Sequence, residues 1–214
     1  MTEGTPNLRE LNKRRTREAI SNAATRLFIE HGFDRTTIAE VAVAAGVAKM
    51  TVTNHFPRKE DLVLDLHREM IAAQAEAVAG RAPGESALAA LRRTCLASID
   101  RHDPALGFAD PPFARTVTES PALLARLREI HEQSENALTA ALAEATDSPP
   151  GDLTARLAAG LLAAIRRALF TEVFHRVLAG EEHEAISAAI RPSAVRAFDH
   201  LRSALDGYAV RPTE

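Results

Sequence analysis

Three side chains on one short predicted helix have the chemistry that the bases of duplex DNA require. Lys49, Met50 and Asn54 fall on the outer positions of a predicted helix over residues 48–55, with Val52 on its inner side. A lysine can donate to guanine acceptors, an asparagine can pair with adenine, and a methionine can press on the thymine methyl group. The pattern predicts a helix that enters the major groove of double-stranded DNA.

A second short helix precedes this one and has clear start and stop signals. Thr37 and Glu40 form a Thr-x-x-Glu capping box, and Gly46 ends the helix in a tight turn. Ala42 is small enough for two helices to cross closely. Two short helices joined by a glycine turn have the spacing of a helix-turn-helix. A three-helix unit with a purely structural role has the same spacing, so both interpretations stay open on this feature alone.

The first part of the chain is basic although the whole chain is acidic. Residues 1–60 carry ten Lys and Arg against seven Asp and Glu, whereas the full chain carries 26 against 29 and a net charge of −3. A helix predicted over 16–31 buries an apolar face, and a basic arm that includes Arg14 and Arg15 precedes it. This distribution favours one anionic partner, with a solvated charged face as the alternative. Lys59 opens the next predicted helix, where a phosphate suits it.

About twenty positions between residues 14 and 64 resemble the DNA-binding domain of the TetR family of transcriptional regulators. The matching positions are Arg17, Ile20, Ala23-Ala24, Leu27-Phe28, His31-Gly32-Phe33, Thr36-Thr37-Ile38, Val41-Ala42, Ala45-Gly46-Val47, Thr51-Val52, His55-Phe56-Pro57 and Lys59-Glu60-Asp61-Leu62. The resemblance implies about nine helices, a homodimer, a palindromic operator, and an effector pocket in the C-terminal part that controls DNA affinity. The other residues resemble the family only in length and helical character.

The resemblance also implies roles for individual residues. It places Thr37 against phosphate, Lys49, Met50 and Asn54 against bases, and the side chains of Thr51, Thr53, His55 and Lys59 mainly against the backbone. The full predicted DNA-binding set is Arg14, Arg15, Thr36, Thr37, Lys49, Met50, Thr51, Thr53, Asn54, His55 and Lys59. Thr53 stands where the family often has Tyr or Phe, and Ala48 where it often has Ser, so an aromatic contact and a helix cap are missing.

Apolar spacing predicts helices through the rest of the chain and an all-α fold. The expected helices cover residues 59–79, 86–101, 113–119, 121–146 and 152–179, followed by a last helical region to Leu205 that is interrupted at Pro192. We expect a DNA-binding domain over residues 1–60 and a ligand-binding and dimerisation domain over 61–214.

Two sets of residues in the larger domain are candidates for binding. The helix over 152–179 has too much apolar surface for one core-facing stripe, so it is expected to pair with the last helix across a two-fold axis. The candidate dimer residues are Leu161, Ile165, Leu169, Val173, Phe198, Leu201 and Leu205, with burial inside one subunit as the alternative for each. The candidate pocket residues are Cys95, His102, Phe108, Phe113, Leu127, His131, Arg167, Phe170 and Phe174. Arg167 indicates an anionic or carbonyl-bearing effector, although it can also pair with Glu172 or Glu135.

Other chemistry is not indicated. The sequence has no nucleophile elbow, dinucleotide fingerprint or phosphate-binding loop, and we expect no catalytic residues, cofactor or metal site. The longest uninterrupted apolar stretch is far shorter than the ~20 residues of a bilayer span. With a single cysteine, Cys95, the chain is expected to be cytoplasmic and to have no membrane partner. The function expected is a repressor released from DNA by a small, largely apolar effector; the alternative is a helical interaction module or an enzyme.

Overall fold

The computed structural model describes residues 8–149 and 151–213, and this part of the chain consists of helices and turns without a strand. The α-helices are α1 (Leu8–His31), α2 (Ile38–Ala44), α3 (Lys49–His55), α4 (His67–Ala79), α5 (Ala87–Asp100), α6 (Pro111–Glu119), α7 (Pro121–Ala145), α8 (Leu153–Leu178), α9 (His183–His200) and α10 (Arg202–Leu205). Single 3-10 turns lie at Glu60–Leu62 and Pro104–Leu106. The all-α prediction is confirmed.

The first of two compact units contains the described residues up to Asp65 together with Arg115–Arg126. Helices α1, α2 and α3 enclose a core in which Ile20, Phe28 and Val52 are fully buried or nearly so. The predicted apolar face of α1 is therefore confirmed. That helix begins at Leu8, well before the predicted start at Thr16, because the intervening residues are mostly good helix formers. The basic residues predicted as an arm, among them Arg14 and Arg15, therefore lie within α1 and not ahead of it. Residues 1–7 of the predicted domain lie outside the described residues.

The second unit contains Leu66–Ala114 and the described residues from Leu127 onward. Its core joins α4, α5, α7, α8 and α9 through buried aliphatic side chains, among them Leu88, Leu138, Leu162 and Phe198. Because α8 spans 26 residues, it supplies several layers of this core. The segment Arg115–Arg126 groups with the first unit. The expected domain boundary at residue 60 places this segment in the second domain instead.

Two details of the predicted helices are wrong. The helix expected from residue 59 begins only at His67, after a 3-10 turn. Leu62, Val63 and Leu64 are all buried, and three consecutive residues cannot share one face of an α-helix. The expected interruption at Pro192 is absent because α9 runs through it. Buried residues before and after Pro192 hold both halves of α9 in place and offset the cost of about 3 kcal/mol.

Candidate nucleic-acid interface

Helix α2 begins at the predicted capping box. The Thr37 hydroxyl accepts from the Glu40 backbone N–H at 3.2 Å, and the Glu40 carboxylate accepts from the Thr37 backbone N–H at 2.7 Å. The hydrogen bond from the Thr37 backbone N–H lowers the pKa of Glu40, and a second one from the Thr37 hydroxyl to the carboxylate at 2.8 Å lowers it further, so the exposed carboxylate is ionised at neutral pH. Thr37 itself is exposed, so the start of α2 is available to a phosphate.

The turn between α2 and α3 depends on Gly46. Its φ of +66° is in the left-handed region, where a side chain is strained even though a Cβ at this position would meet no atom within 4 Å. The backbone N–H of Val47 donates to the Ala42 carbonyl at 3.0 Å and closes the turn. Ala48 then stands at the N-cap of α3 and makes no side-chain hydrogen bond to the helix, as its residue type predicts. The turn therefore fixes the orientation of α3 relative to α2.

Helix α3 has one buried side and one exposed side. Val52 is fully buried and Phe56, directly after the helix, is nearly so. Lys49, Met50 and Asn54 are exposed, and 69% of the Met50 surface is open to solvent. A methionine this exposed has no packing role in the domain, which favours a surface that meets a partner. The three predicted base-facing residues thus lie together on the outer side of α3.

The two threonines of α3 are half-buried and lie beside this exposed surface. The Thr53 hydroxyl donates to the Met50 carbonyl at 3.0 Å within the same helix. Thr51 occupies the turn before it. The aromatic contact that the family often makes from the position of Thr53 is therefore missing, as the sequence indicated.

Arg17 of α1 supports the C-terminal end of α3. Its Nη1 donates to the His55 carbonyl at 2.9 Å, and its Nη2 donates to the Asp65 carbonyl at 3.0 Å. The guanidinium also stacks 4.1 Å from the centre of the Phe56 ring. Burial lowers the pKa of His55, and the charges of Arg17 and Lys13 lower it further. Sequence reasoning did not assign this role to Arg17, since the pairing joins residues far apart in the chain.

Lys59 and Thr36 are held within the first unit. Lys59 donates through Nζ to the Phe33 carbonyl at 2.6 Å and lies 4.3 Å from the Phe33 ring centre. Partial burial lowers the pKa of Lys59.

Thr36 is 2% exposed, and its hydroxyl donates to the Gly32 carbonyl at 3.0 Å. This burial argues against the predicted DNA contact of Thr36, because its hydroxyl stabilises the end of α1. Arg14 and Arg15 are exposed on α1.

The structure groups some of the candidate pocket residues in the second unit. His131, Phe170 and Phe174 form one aromatic cluster, with ring centres 5.2 and 5.5 Å apart along the series. Burial, followed by the charges of Arg166 and Arg167, lowers the pKa of His131 to about 4. The imidazole is therefore neutral at pH 7.

The remaining candidates lie elsewhere in that unit. His102 and Phe108 contact each other and His183, a residue that the prediction left out. Leu127 is buried and Phe113 half-buried. Cys95 lines a small cavity, and burial raises the pKa of its thiol to about 11. Arg167 is exposed and pairs with Glu135 at 3.4 Å, one of the two alternatives that the sequence left open.

The candidate dimer residues differ in exposure. Leu169, Val173, Phe198 and Leu205 are buried within the single chain, and Ile165 and Leu201 are half-buried. Leu161 is 47% exposed and continues a row with Leu153 and Leu157, which are 62% and 60% exposed. The uncovered apolar surface of α8 therefore lies in its N-terminal half.

Comparison with known proteins identifies the class of the first unit. Residues 20–66 match the model of the tetR family of bacterial regulatory proteins. The chain is 30% identical over 214 residues to the HTH-type transcriptional regulator TcmR of Streptomyces glaucescens, covering 95% of this chain and 92% of that one. It is 37% identical over 94 residues to the HTH-type transcriptional repressor AcnR of Corynebacterium diphtheriae, covering 44% and 46% of the two chains. A solved complex of SmeT with triclosan shares the fold at a TM-score of 0.56 and 20% identity, over 94% and 96% of the chains.

A helix-turn-helix with an exposed second helix, ahead of a helical body, defines a DNA-binding transcriptional regulator. The chain belongs to the tetR family of bacterial regulatory proteins. That family consists of regulators, which agrees with the prediction that the protein is not an enzyme.

No helix among residues 8–149 and 151–213 is long and apolar enough to cross a membrane. No group of three or more His, Cys, Asp and Glu side chains in that part of the chain is arranged to hold a metal ion.

Proposed function

We propose that the protein is a homodimeric repressor that binds a palindromic operator through α3 and leaves it when a small effector binds the second unit. The observation that carries this proposal is the exposure of Lys49, Met50 and Asn54 on a helix anchored by Val52 and Phe56. In the proposal, these three side chains contact base edges in the major groove.

Contacts to the DNA backbone surround this surface. We propose that Thr37 and the start of α2 contact phosphate, and that Thr51, Thr53 and His55 lie against the sugar-phosphate chain. Arg14 and Arg15 add positive charge from α1, whereas Lys59 acts through its hold on the Phe33 carbonyl as well as through its charge. Such contacts neutralise phosphates and release counterions, so affinity falls steeply with salt.

Dimerisation is supported by the apolar surface that the single chain leaves uncovered. Leu153, Leu157 and Leu161 recur every fourth residue and form one stripe on α8. A second copy related by a two-fold axis would cover this stripe with its own. Two copies of α3 could then read two half-sites of a palindrome.

Effector response is supported by the aromatic cluster of His131, Phe170 and Phe174 in the second unit. A largely apolar molecule that prefers one conformation of this unit would shift the population of DNA-binding molecules. TcmR and AcnR are named as a regulator and a repressor respectively, and repression is our proposal for this chain.

A gel-shift assay with the palindrome upstream of the protein's own gene tests the proposal. We expect discrete complexes that weaken steeply between low and moderate salt, and a dimer by light scattering at micromolar concentration. Leu157→Asp should give a monomer with weakened operator binding. The control Thr154→Asp, an exposed change beside the stripe, should leave the dimer and operator binding intact. Absence of a discrete complex, or a wild-type monomer, contradicts the proposal.

A further inference from the structure

A small cavity with both apolar and polar lining residues lies inside the second unit between α4, α5, α8 and α9. Its volume is about 50 Å³, and its lining includes Gln74, Thr94, Cys95, Ser98 and Arg166. A water occupies roughly 30 Å³ in the liquid, so the space is sufficient for one small polar group and not for a whole drug-sized ligand.

The charge in this cavity comes from Arg166. Its Nη2 donates to the Ala105 carbonyl at 2.8 Å, and among the described residues its other two nitrogens have no hydrogen-bond acceptor. Burial is the main cause that lowers the pKa of Arg166, although an arginine stays protonated at neutral pH. Arg166 is half-buried, and a guanidinium with two unused nitrogens beside a cavity favours an anionic partner.

The ionisable groups around Arg166 do not supply that partner at close range. Asp103 attracts it from beyond ion-pair distance, and its carboxylate already accepts from Ser98 at 2.9 Å and from the Ala105 backbone N–H. The Cys95 thiol has a pKa of about 11 and is neutral. His131, with a pKa of about 4, is neutral as well.

Gln74 provides a second and independent observation. The residue is 7% exposed and lines the cavity, yet its side-chain amide makes no hydrogen bond to any residue that the structure describes. The amide group therefore has donors that no described residue uses. Gln74 and Arg166 line the same cavity.

We propose that this cavity binds the carboxylate of a small organic acid, with Arg166 as the charged anchor and the Gln74 amide as a second donor. A carboxylate is planar and matches two N–H groups of a guanidinium, and it fits the available volume. The apolar remainder of such an acid must separate the surrounding helices to enter. The claim that this cavity is the effector site rests on the proposed function. The claim that it binds a carboxylate does not depend on that function.

Matched acid and amide probes test the proposal on the full-length protein. We expect sodium acetate and sodium benzoate at millimolar concentration to raise the melting temperature in a saturable way at constant ionic strength. Acetamide and benzamide, which lack the charge, should have no such effect. The same four compounds in calorimetric titrations give the affinities.

Three variants localise the binding. Arg166→Gln should weaken benzoate binding by about tenfold or more, the loss expected for one charge-assisted hydrogen-bond pair. Gln74→Glu is nearly isosteric and places an internal carboxylate beside Arg166, so it should abolish benzoate binding while keeping the fold. Arg128→Gln, at an exposed arginine of α7 outside the cavity lining, should leave the affinity unchanged.

The outcomes separate the two proposals. Equal binding of acid and amide, unchanged benzoate binding in both Arg166→Gln and Gln74→Glu, or no response to either acid overturns the carboxylate site. If the acids bind as expected and the operator complex is unaffected by them, the carboxylate site stands and effector-driven release fails. If another compound releases the operator while no acid binds, effector-driven release stands and the carboxylate site fails.

Discussion

Asp61 and Arg126 form a buried ion pair inside the first unit, with 2.8 Å between Arg126 Nε and Asp61 Oδ1 and side chains 6% and 8% exposed. The pair joins the 3-10 turn at Glu60–Leu62 to the first turns of α7. This ion pair explains in part why Arg115–Arg126 belongs to the same compact unit as the helix-turn-helix residues, although the two segments are far apart in sequence.

Breaking this pair should destabilise the first unit strongly. Arg126→Ala removes the cation of the ion pair with the buried Asp61 carboxylate, which costs about 3–5 kcal/mol. Urea denaturation followed by circular dichroism measures the loss. The double variant Asp61→Leu with Arg126→Met should recover most of it, and Arg128→Ala, exposed on α7, should change little. A single-variant loss no larger than that of Arg128→Ala would show that the pair is dispensable.

Removal of the Arg17 side chain should weaken DNA binding without changing base preference. Arg17→Met keeps apolar contact with Phe56 but loses the hydrogen bonds to the His55 and Asp65 carbonyls. Hydrogen bonds to a charged donor contribute about 1.5–3 kcal/mol each, and the upper values apply only to buried cases. Fluorescence anisotropy should show weaker binding to every operator variant. Arg26→Met, at an exposed position of α1, is the control; equal effects of the two variants would contradict the role of Arg17.

Lys59→Met should reduce both stability and DNA affinity. The variant keeps the aliphatic stem over Phe33 but loses the donor to the Phe33 carbonyl, so we expect a stability loss of about 1 kcal/mol. Affinity should fall alike for all operator sequences, as for a residue that does not read bases. Thermal melting and anisotropy measure the two effects. Lys49→Met should leave the melting temperature nearly unchanged; if Lys59→Met also does, the hydrogen bond contributes nothing.

His131 should make the second unit less stable in acid. Burial lowers its pKa from 6.5 to about 4 in the folded protein, so the unfolded chain binds more protons between these values. Stability contributed by the neutral imidazole is complete above pH 6.5 and is lost as the pH falls toward 4. The slope approaches about 1.4 kcal/mol per pH unit in this interval. Urea denaturation at a series of pH values should show a shallower slope for His131→Gln than for the wild type; identical slopes would exclude His131 as the cause.

Local signals were sufficient to predict the helix-turn-helix. The hydrogen bonds of Thr37 and Glu40 and the left-handed backbone of Gly46 follow from residue types a few positions apart. The start of α4 could not be predicted in the same way. Leu62, Val63 and Leu64 fit a helix by composition, and only contacts with other segments require all three to be buried.

The cavity in the second unit shows where sequence reasoning ends. Arg166 and Arg167 are adjacent and identical in type, and the apolar spacing of α8 does not distinguish them. The structure places the half-buried Arg166 in the lining of the cavity with Cys95 and leaves Arg167 exposed with Glu135. Gln74 reaches the same cavity from α4, a pairing that depends on helix packing rather than on any local pattern. For the same reason the position of Arg17 against His55 was not foreseen.

The most direct test of DNA reading by α3 is the affinity of wild type, Lys49→Ala and Asn54→Ala for an operator and all its single-base variants. We expect each substitution to reduce discrimination by about 1–3 kcal/mol at one position of each half-site and to leave the other positions unchanged. Both side chains are exposed, so the fold should not be affected. If both variants keep the wild-type base preference at every position, Lys49 and Asn54 do not read the operator.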